Sequence, residues 1–228
     1  MVEALRYNSD LVAAKEVAEF YKLKEEKEDI ENLLKEIEER PSDVYHIPKG
    51  KEDMKEVEWE RIPRLSVAAD HLIPGTVLDL GCHYGEGSVT FINKRSDITK
   101  AVGIDWSGQC IDVAREFLSE KCNRPDAVSY AIGDVSLADP GILGEFDNVF
   151  AGELLEHVAN YKSFLHTIEK LAKIGGKVVL TLPSGPWECG ANQPREMLFH
   201  VRHWTWKDIN DVFGDKKDFR YSFINLVS

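Results

Sequence analysis

Three aspartates, Asp79, Asp105 and Asp134, each stand at or beside the end of a short apolar run. The first leads directly into the turn Leu80-Gly81-Cys82-His83-Tyr84-Gly85-Glu86-Gly87. Glycines in such a turn let the main chain approach a ligand closely, and a helix that follows offers unpaired N–H groups to an anionic end. Asp105 lies 26 residues after Asp79, the place from which an acid accepts hydrogen bonds from a ribose diol in dinucleotide folds. Asp134 is a natural acceptor for the exocyclic amine of a purine. Together these positions could hold a carboxylate or amine end, a ribose and an adenine. A glycine-rich turn alone carries little weight; three acids in order, each at a predicted strand end, carry much more. His157, in Glu153-Leu154-Leu155-Glu156-His157, is the imidazole that the same pattern brings to this crevice, and imidazole suits a general base near neutral pH.

These residues need a scaffold that delivers them to one edge, and the pattern of the chain supplies it. A helix across Pro63 to His71 ends at Pro74-Gly75. Strands are predicted over Thr76–Leu80, Ala101–Ile104, Val128–Ile132, Phe146–Phe150 and Lys177–Leu182. Helices are predicted from the glycine turn through Phe91, from Ser107 to about Glu120, over 153–158 and 160–173, and around Trp206–Phe213. Short runs apolar throughout, alternating with helices, imply a parallel sheet covered on both faces. Right-handed crossovers then make it a doubly wound α/β sandwich, whose ligands bind outside the carboxyl ends of the strands.

The first 50 residues read differently. From Leu11 to Arg40 there is no Gly or Pro, and Leu23, Ile30 and Ile37 repeat at sevens beside Phe20, Lys27 and Leu34. The expectation is a charged helix, lying on the main domain or forming a coiled coil through residues 11–40 with a second copy or a partner. The domains expected are therefore a helical extension and linker over 1–50 and a main domain over 51–228.

Composition narrows the function. The 228 residues carry 28 basic and 40 acidic side chains, a net charge of −12, which argues against salt-driven binding to nucleic acid. Residues 1–60 hold 10 of the basic and 18 of the acidic side chains, so most of the excess sits there. No apolar run approaches the roughly 20 residues of a membrane span, and the start lacks a secretion signal. Cys82, Cys110, Cys122 and Cys189 lie far apart with no CxxC pair, which points to a reducing, cytoplasmic compartment rather than a disulfide framework.

The segments VLDLGCHYGEGS (77–88), AVGIDWSGQCIDVARE (101–116), VSYAIGD (128–134), FDNVFAGELLEHV (146–158) and GGKVVLTLP (175–183) resemble the class I S-adenosylmethionine-dependent methyltransferases. The resemblance runs over about 64–215. It implies a mostly parallel, seven-stranded-type Rossmann-like three-layer sandwich, with S-adenosylmethionine as cofactor and methyl transfer as activity. By this resemblance Asp79, Gly81, Cys82 and Gly85 cradle the methionine end, and Asp105 takes the ribose hydroxyls. Trp106 packs on the adenine face, Asp134 and the backbone of Val135 read the adenine edge, and Ala151 lies beside the sulfonium. His200 and His203 fall in the segment that often lines the acceptor pocket, so His157 and His203 are the candidate catalytic groups.

The loop departs from the family pattern at one point: where a middle glycine is usual, this chain has His83, either a tolerated variant or a side chain shaping the substrate side. In relatives the histidine after the fourth strand often only bonds to backbone. In some, such acids and histidines hold a metal, for which Glu153, Glu156, His157 and His200 or His203 are the residues available. Pro183-Ser184-Gly185-Pro186-Trp187-Glu188 resembles methyltransferases of glycan and cell-surface polysaccharide pathways, which points to a sugar hydroxyl or other small molecule as acceptor. Trp187, Trp204 and Trp206 either wall that acceptor pocket or pack in the core. Two further readings stay open: a metal-assisted O-methyltransferase, and a scaffold that retains the cofactor site. A nicotinamide oxidoreductase is disfavoured, because Gly81-x-x-x-Gly85-x-Gly87 is not Gly-x-Gly-x-x-Gly. Asp218–Val227 offers one edge strand where the family has two, so the edge is shortened or the chain is part of a longer polypeptide.

Overall fold

The structure is a computed structural model that describes residues 63–158, 160–183 and 204–213. The extension over 1–50, Trp187, His200, His203 and the edge segment 218–227 lie outside the described residues. The described chain opens on a helix, α1, over residues 63–70, whose Leu65, Ala68, Ala69 and, just beyond it, Leu72 are buried at helical spacing. Then follow β1 (Gly75–Leu80), α2 (Glu86–Lys94), β2 (Ile98–Asp105), α3 (Gly108–Lys121), β3 (Val128–Ile132), the single turn α4 (Pro140–Leu143), β4 (Phe146–Gly152), α5 (Tyr161–Leu171), β5 (Ala172–Thr181) and α6 (Trp206–Phe213).

The five strands form one sheet in the order β3-β2-β1-β4-β5, and all four pairings are parallel. The order reverses at β1, so crossovers of one hand must send successive helices to opposite faces. The core divides in that way. On one face Val77 and Phe150 pack with Leu65, Leu72, Phe91 and Ile92 of the α1 and α2 side. On the other, Leu78, Leu80, Val149 and Ala151 pack with Phe164, Leu165 and Ile168 of α5 and Ile209 of α6. The result is a three-layer, Rossmann-like sandwich, and among the described residues no helix is long and apolar enough to cross a membrane.

Several boundaries differ from the sequence reading, and the helix expected over 153–158 is only a 3₁₀ turn, Leu155–His157; two of the differences follow from strand pairing. The β2 strand starts at Ile98 rather than Ala101, because parallel pairing with Gly75 and Thr76 carries the exposed Thr99 and Lys100 along. Strand β5 starts at Ala172, which pairs with Phe146, so α5 stops at Leu171. The register then slips before Asn148, and Gly175 in this stretch adopts φ 81°, the mark of a bulge that periodicity does not reveal. Trp204 is in the core, edge-on to Tyr161 at 5.2 Å between ring centroids; of its two readings, packing is the one realised.

A buried amide holds the amino end of the sheet. Asn148 accepts from the backbone N–H of Ile73 at 2.8 Å and donates to the carbonyls of Ile73 (2.8 Å) and Thr76 (3.1 Å). Its side chain is fully buried, while Ile73 and Thr76 are half-buried. Asn148→Ala should therefore lower unfolding free energy by about 2–4 kcal/mol, the cost of orphaned buried backbone groups; a urea-melt loss below about 1 kcal/mol would contradict this.

Candidate functional site at the carboxyl ends of β1, β2 and β4

The turn after β1 is built by three residues in the left-handed region: Gly81 (φ 67°), His83 (φ 50°) and Gly85 (φ 80°). The N–H groups of Gly81 and Cys82 both donate to the carbonyl of Ile104, at 2.9 and 3.0 Å, and Gly85 N–H closes the turn on Cys82 at 2.8 Å. This stitches the turn to the end of β2. At Gly85 an added Cβ would collide with the Tyr130 hydroxyl, which itself donates to the Gly85 carbonyl. A glycine is therefore required on two counts, conformation and space. His83 takes up a similar conformation with a side chain. Its ring lies 3.5 Å from that of Tyr84, and its Nδ1 is 4.0 Å from Glu86 Oε1.

Asp105, the last residue of β2, is the hinge of this arrangement. Its Oδ2 accepts from the N–H of His83 at 3.0 Å and its Oδ1 from the N–H of Ser107 at 2.9 Å. Burial pushes its carboxyl above the usual range, and these two backbone donors counter that push. Asp79 sits on the inner side of β1, 2% exposed. Its Oδ2 accepts from Ser88 Oγ at 2.7 Å, and a Cβ on Gly87 would lie 2.8 Å from that oxygen. Desolvation, with smaller contributions from the nearby Glu86 and Asp105 carboxylates, raises Asp79 to about 7 against the Ser88 hydrogen bond. Burial likewise pushes the Cys82 thiol far up, so Cys82 is an inert part of the wall rather than a nucleophile.

A cleft of about 50 Å³ opens over the turn, lined by Arg64, Asp79, His83, Glu86, Phe150 and Gly152 together with Leu65, Gly81, Cys82 and Gly87. Of the candidates from the sequence, the cleft gathers Asp79, Gly81 and Cys82; Asp105 and Gly85 belong to the same turn. Trp106, 44% exposed, and Ile132, 60% exposed, stand at the ends of the adjacent β2 and β3. Asp134 follows on the same edge, exposed, with its Oδ1 accepting from the Ser136 N–H and hydroxyl at 2.8 and 2.6 Å. It caps the short turn begun by Val135. Ala151 is buried near the end of β4. His157, on a single 3₁₀ turn after β4, is partly exposed, its Nε2 3.9 Å from Glu156 Oε1, and it is not among the residues lining the cleft. Among the described residues no three His, Cys, Asp or Glu side chains converge as a metal site would require.

Five lining residues were not anticipated: Arg64, Leu65, Phe150 and Gly152, and Glu86 beyond its place in the motif. Arg64 had no local signal, since its place depends on α1 folding back onto the sheet. Gly152 had none either; only the fold shows that an added Cβ there would strike the Phe150 ring at 2.5 Å.

Residues 78–178 match the family described as a methyltransferase domain. With its parallel 3-2-1-4-5 sheet and the turn at its switch point, this part of the chain is similar to methyltransferase domains in sequence over 78–178 and in fold. A ubiquinone biosynthesis O-methyltransferase of Dechloromonas aromatica is 34% identical over 125 residues, 55% of this chain and 48% of that protein. The chain thus spans about half the length of this curated relative. A solved Bacillus halodurans structure is 22% identical, with a TM-score of 0.56 over 68% of both chains. The [4+2]-cyclase SpnF is 18% identical, with a TM-score of 0.55 over 66% of this chain and 54% of its own.

The acid cluster has a measurable consequence. The folded pKa of Asp79 lies above its unfolded value, so its contribution to stability is full below about pH 4 and is lost as pH rises through about 7. Asp79→Asn keeps an acceptor for Ser88 and removes the buried charge. It should raise unfolding free energy by about 2–4 kcal/mol at pH 8, with the gain shrinking towards pH 4. Thermal melts across that range provide the check, and a destabilised variant at pH 8 would refute the electrostatic account.

Proposed function

We propose that the chain catalyses methyl transfer from S-adenosylmethionine to an oxygen of a small molecule, with a sugar hydroxyl as the acceptor. The observation that carries the cofactor half is the Asp105 carboxylate, fixed at both oxygens by the His83 and Ser107 N–H groups. Each oxygen keeps a lone pair, so the pair suits two adjacent hydroxyls. The residues present suit the rest of the cofactor. At Gly85 and Gly87 a Cβ would strike Tyr130 and Asp79, so the turn packs tightly beneath the cleft, and the exposed Trp106 and Ile132 offer an apolar seat for a flat base. Asp79 and Glu86 answer an ammonium group. The preference for oxygen rests on the relative named an O-methyltransferase, and the sugar on the resemblance of Pro183–Glu188 to methyltransferases of glycan pathways.

S-adenosylmethionine, when bound, supplies a methyl group already activated on a sulfonium. The chain's residues then need only bind, orient and exclude water. In this reading Asp79, Gly81, Cys82 and Gly85 hold the amino-acid end, and Asp105 holds the ribose. Trp106, Asp134 and Val135 hold the adenine, and Ala151, buried and small, leaves the end of β4 free of bulk beside the sulfur. A hydroxyl acceptor must lose its proton as it reacts, and His157 or His203 takes it on an imidazole nitrogen.

A protein that keeps the cofactor site without transferring a methyl group, such as a scaffold, is the second reading, and one observation bears on it: the same fold occurs in a protein named a cyclase rather than a methyltransferase. Incubation with S-adenosylmethionine and paired panels of glycosides and phenols, read by mass spectrometry, separates these. Methylated glycosides are expected. Phenol products alone would remove the sugar acceptor, and cofactor binding without any product would favour the scaffold.

Asp105→Ala should weaken S-adenosylhomocysteine binding by about 1.5–3 kcal/mol, the worth of hydrogen bonds to a charged group; unchanged affinity in calorimetry would end the ribose assignment. His157→Ala should leave that affinity intact and cut kcat by about 10²-fold if it is the base. An unaltered kcat would transfer the role to His203.

A further inference from the structure

One residue of the turn keeps a conformation that glycine would adopt without cost. His83 has φ 50°, in the same left-handed region as Gly81 and Gly85 on either side of it. A β-carbon there costs the fold free energy, and strain of this kind collects at functional positions. The side chain does not serve the core. It is 33% exposed and lines the cleft, with its ring against that of the buried Tyr84. Its Nδ1 lies 4.0 Å from Oε1 of Glu86, whose own side chain is buried. Glu86 opens α2, where the helix dipole favours a negative charge. The charged groups around the ring are thus Glu86 of α2, Asp79 of β1, Asp105 of β2 and Arg64 of α1, the last held 3.4 Å from Glu153. Glu86 stands at ion-pair distance from the ring, whereas Asp105 is bonded by the His83 main chain.

We infer that His83 is a positioning residue for the ligand's ammonium group: its imidazole and that ammonium compete for Glu86, which the neutral ring leaves to the ligand and the protonated ring takes. The inference rests on the cofactor reading above and deepens it, since one of the acids that answer the ammonium now depends on a neighbour. An imidazole is the side chain that gains and loses its charge between about pH 5 and 8. When the ring is neutral, Glu86 and Asp79 both face the ammonium. When it is protonated, binding must displace the imidazolium from Glu86 or send its proton to solvent; no other bond changes. Acid therefore weakens the hold on the amino-acid end through His83. It does so separately through Asp79, which burial raises to about 7. At Asp105 burial is the chief influence on the carboxyl, and a charge on the His83 ring works against it, so the two acids have to be told apart.

Calorimetry on the full chain at about pH 7.5 and about pH 5.5 makes that distinction. The ligands are S-adenosylhomocysteine and 5′-methylthioadenosine, which lacks the amino-acid end. His83→Asn and His83→Gly both suit the left-handed backbone. Wild-type affinity for S-adenosylhomocysteine should fall from the higher pH to the lower, and either variant should reduce that fall by roughly three- to fivefold, the upper range for a partly exposed ion pair. What remains is the part due to Asp79. 5′-Methylthioadenosine should show one pH profile in wild type and variants, which also shows that the turn still forms. In a Glu86→Gln background, His83→Asn should alter neither profile. A fall that both variants leave unchanged, an equal change on both ligands, or a change that survives Glu86→Gln would overturn the competition. So would binding that His83 strengthens in acid, which would put the ring on the ligand's carboxylate. Wild-type protein that binds neither ligand would instead sink the cofactor reading itself, and this inference with it.

Discussion

A carboxylate gripped by two backbone N–H groups ties the site to the sheet. Asp105 ends β2, yet one of its oxygens is bound by His83 of the turn that follows β1. The carbonyl one residue earlier, at Ile104, accepts from Gly81 and Cys82 of the same turn. Two neighbouring strands therefore fix a loop that neither could fix alone. The left-handed conformations at Gly81, His83 and Gly85 are what allow three successive groups to turn back on β2. If the parallel register of β1 on β2, in which Leu80 faces Ile104, shifted by one residue, every one of these bonds would be lost and Asp79 would turn to the other face. The register of the sheet and the geometry of the site are a single constraint.

That constraint concentrates negative charge where the fold can least solvate it. Asp79, Glu86 and Asp105 are all buried near one turn. Burial pushes Asp79 and Asp105 upward, and the carboxylates around Asp79 raise it further. A purely structural loop would gain from apolar residues at these positions, since replacing buried charge by well-packed apolar groups is often neutral or stabilising. In the proposed reading, a ligand with positive charge and hydroxyl donors stabilises the acids that the fold alone holds at a cost. Stability and binding pull against each other at Asp79 in particular.

The architecture was legible because the signals for it are local. Five apolar runs, each followed by a turn and a helix, are enough to imply a parallel sheet, and Val128–Ile132 and Trp206–Phe213 fall where the pattern has them. The polar start of β2 was not legible, since Thr99 and Lys100 enter the strand only through pairing with β1. The bulge near Gly175 was hidden in the same way. Of the site, the turn and the acids at the strand ends stand out in the chain because their chemistry sits next to their secondary structure. Arg64 does not: 15 positions separate it from Asp79, and only the return of α1 over the sheet brings the two to one cleft. Ile132 was hidden for another reason. An apolar residue in a strand reads as core, and its exposure becomes visible only when β3 proves to be an edge of the described sheet.

The same topology explains how binding and chemistry can be kept apart within one small site. In the proposed reading the segments after β1, β2 and β3 serve the cofactor, whereas β4 and β5 lie on the other side of the switch point. Residues after β4 therefore belong to both halves. Glu153 is bound through its N–H to β5 and through its carboxylate to Arg64, while Glu156 and His157 follow within one turn. A rearrangement at Glu153 would be felt at His157 through only three intervening residues, without any movement of the sheet. Coupling over so short a distance needs no relay through the core. The strained point of that segment is Glu153, whose backbone is held in the left-handed region.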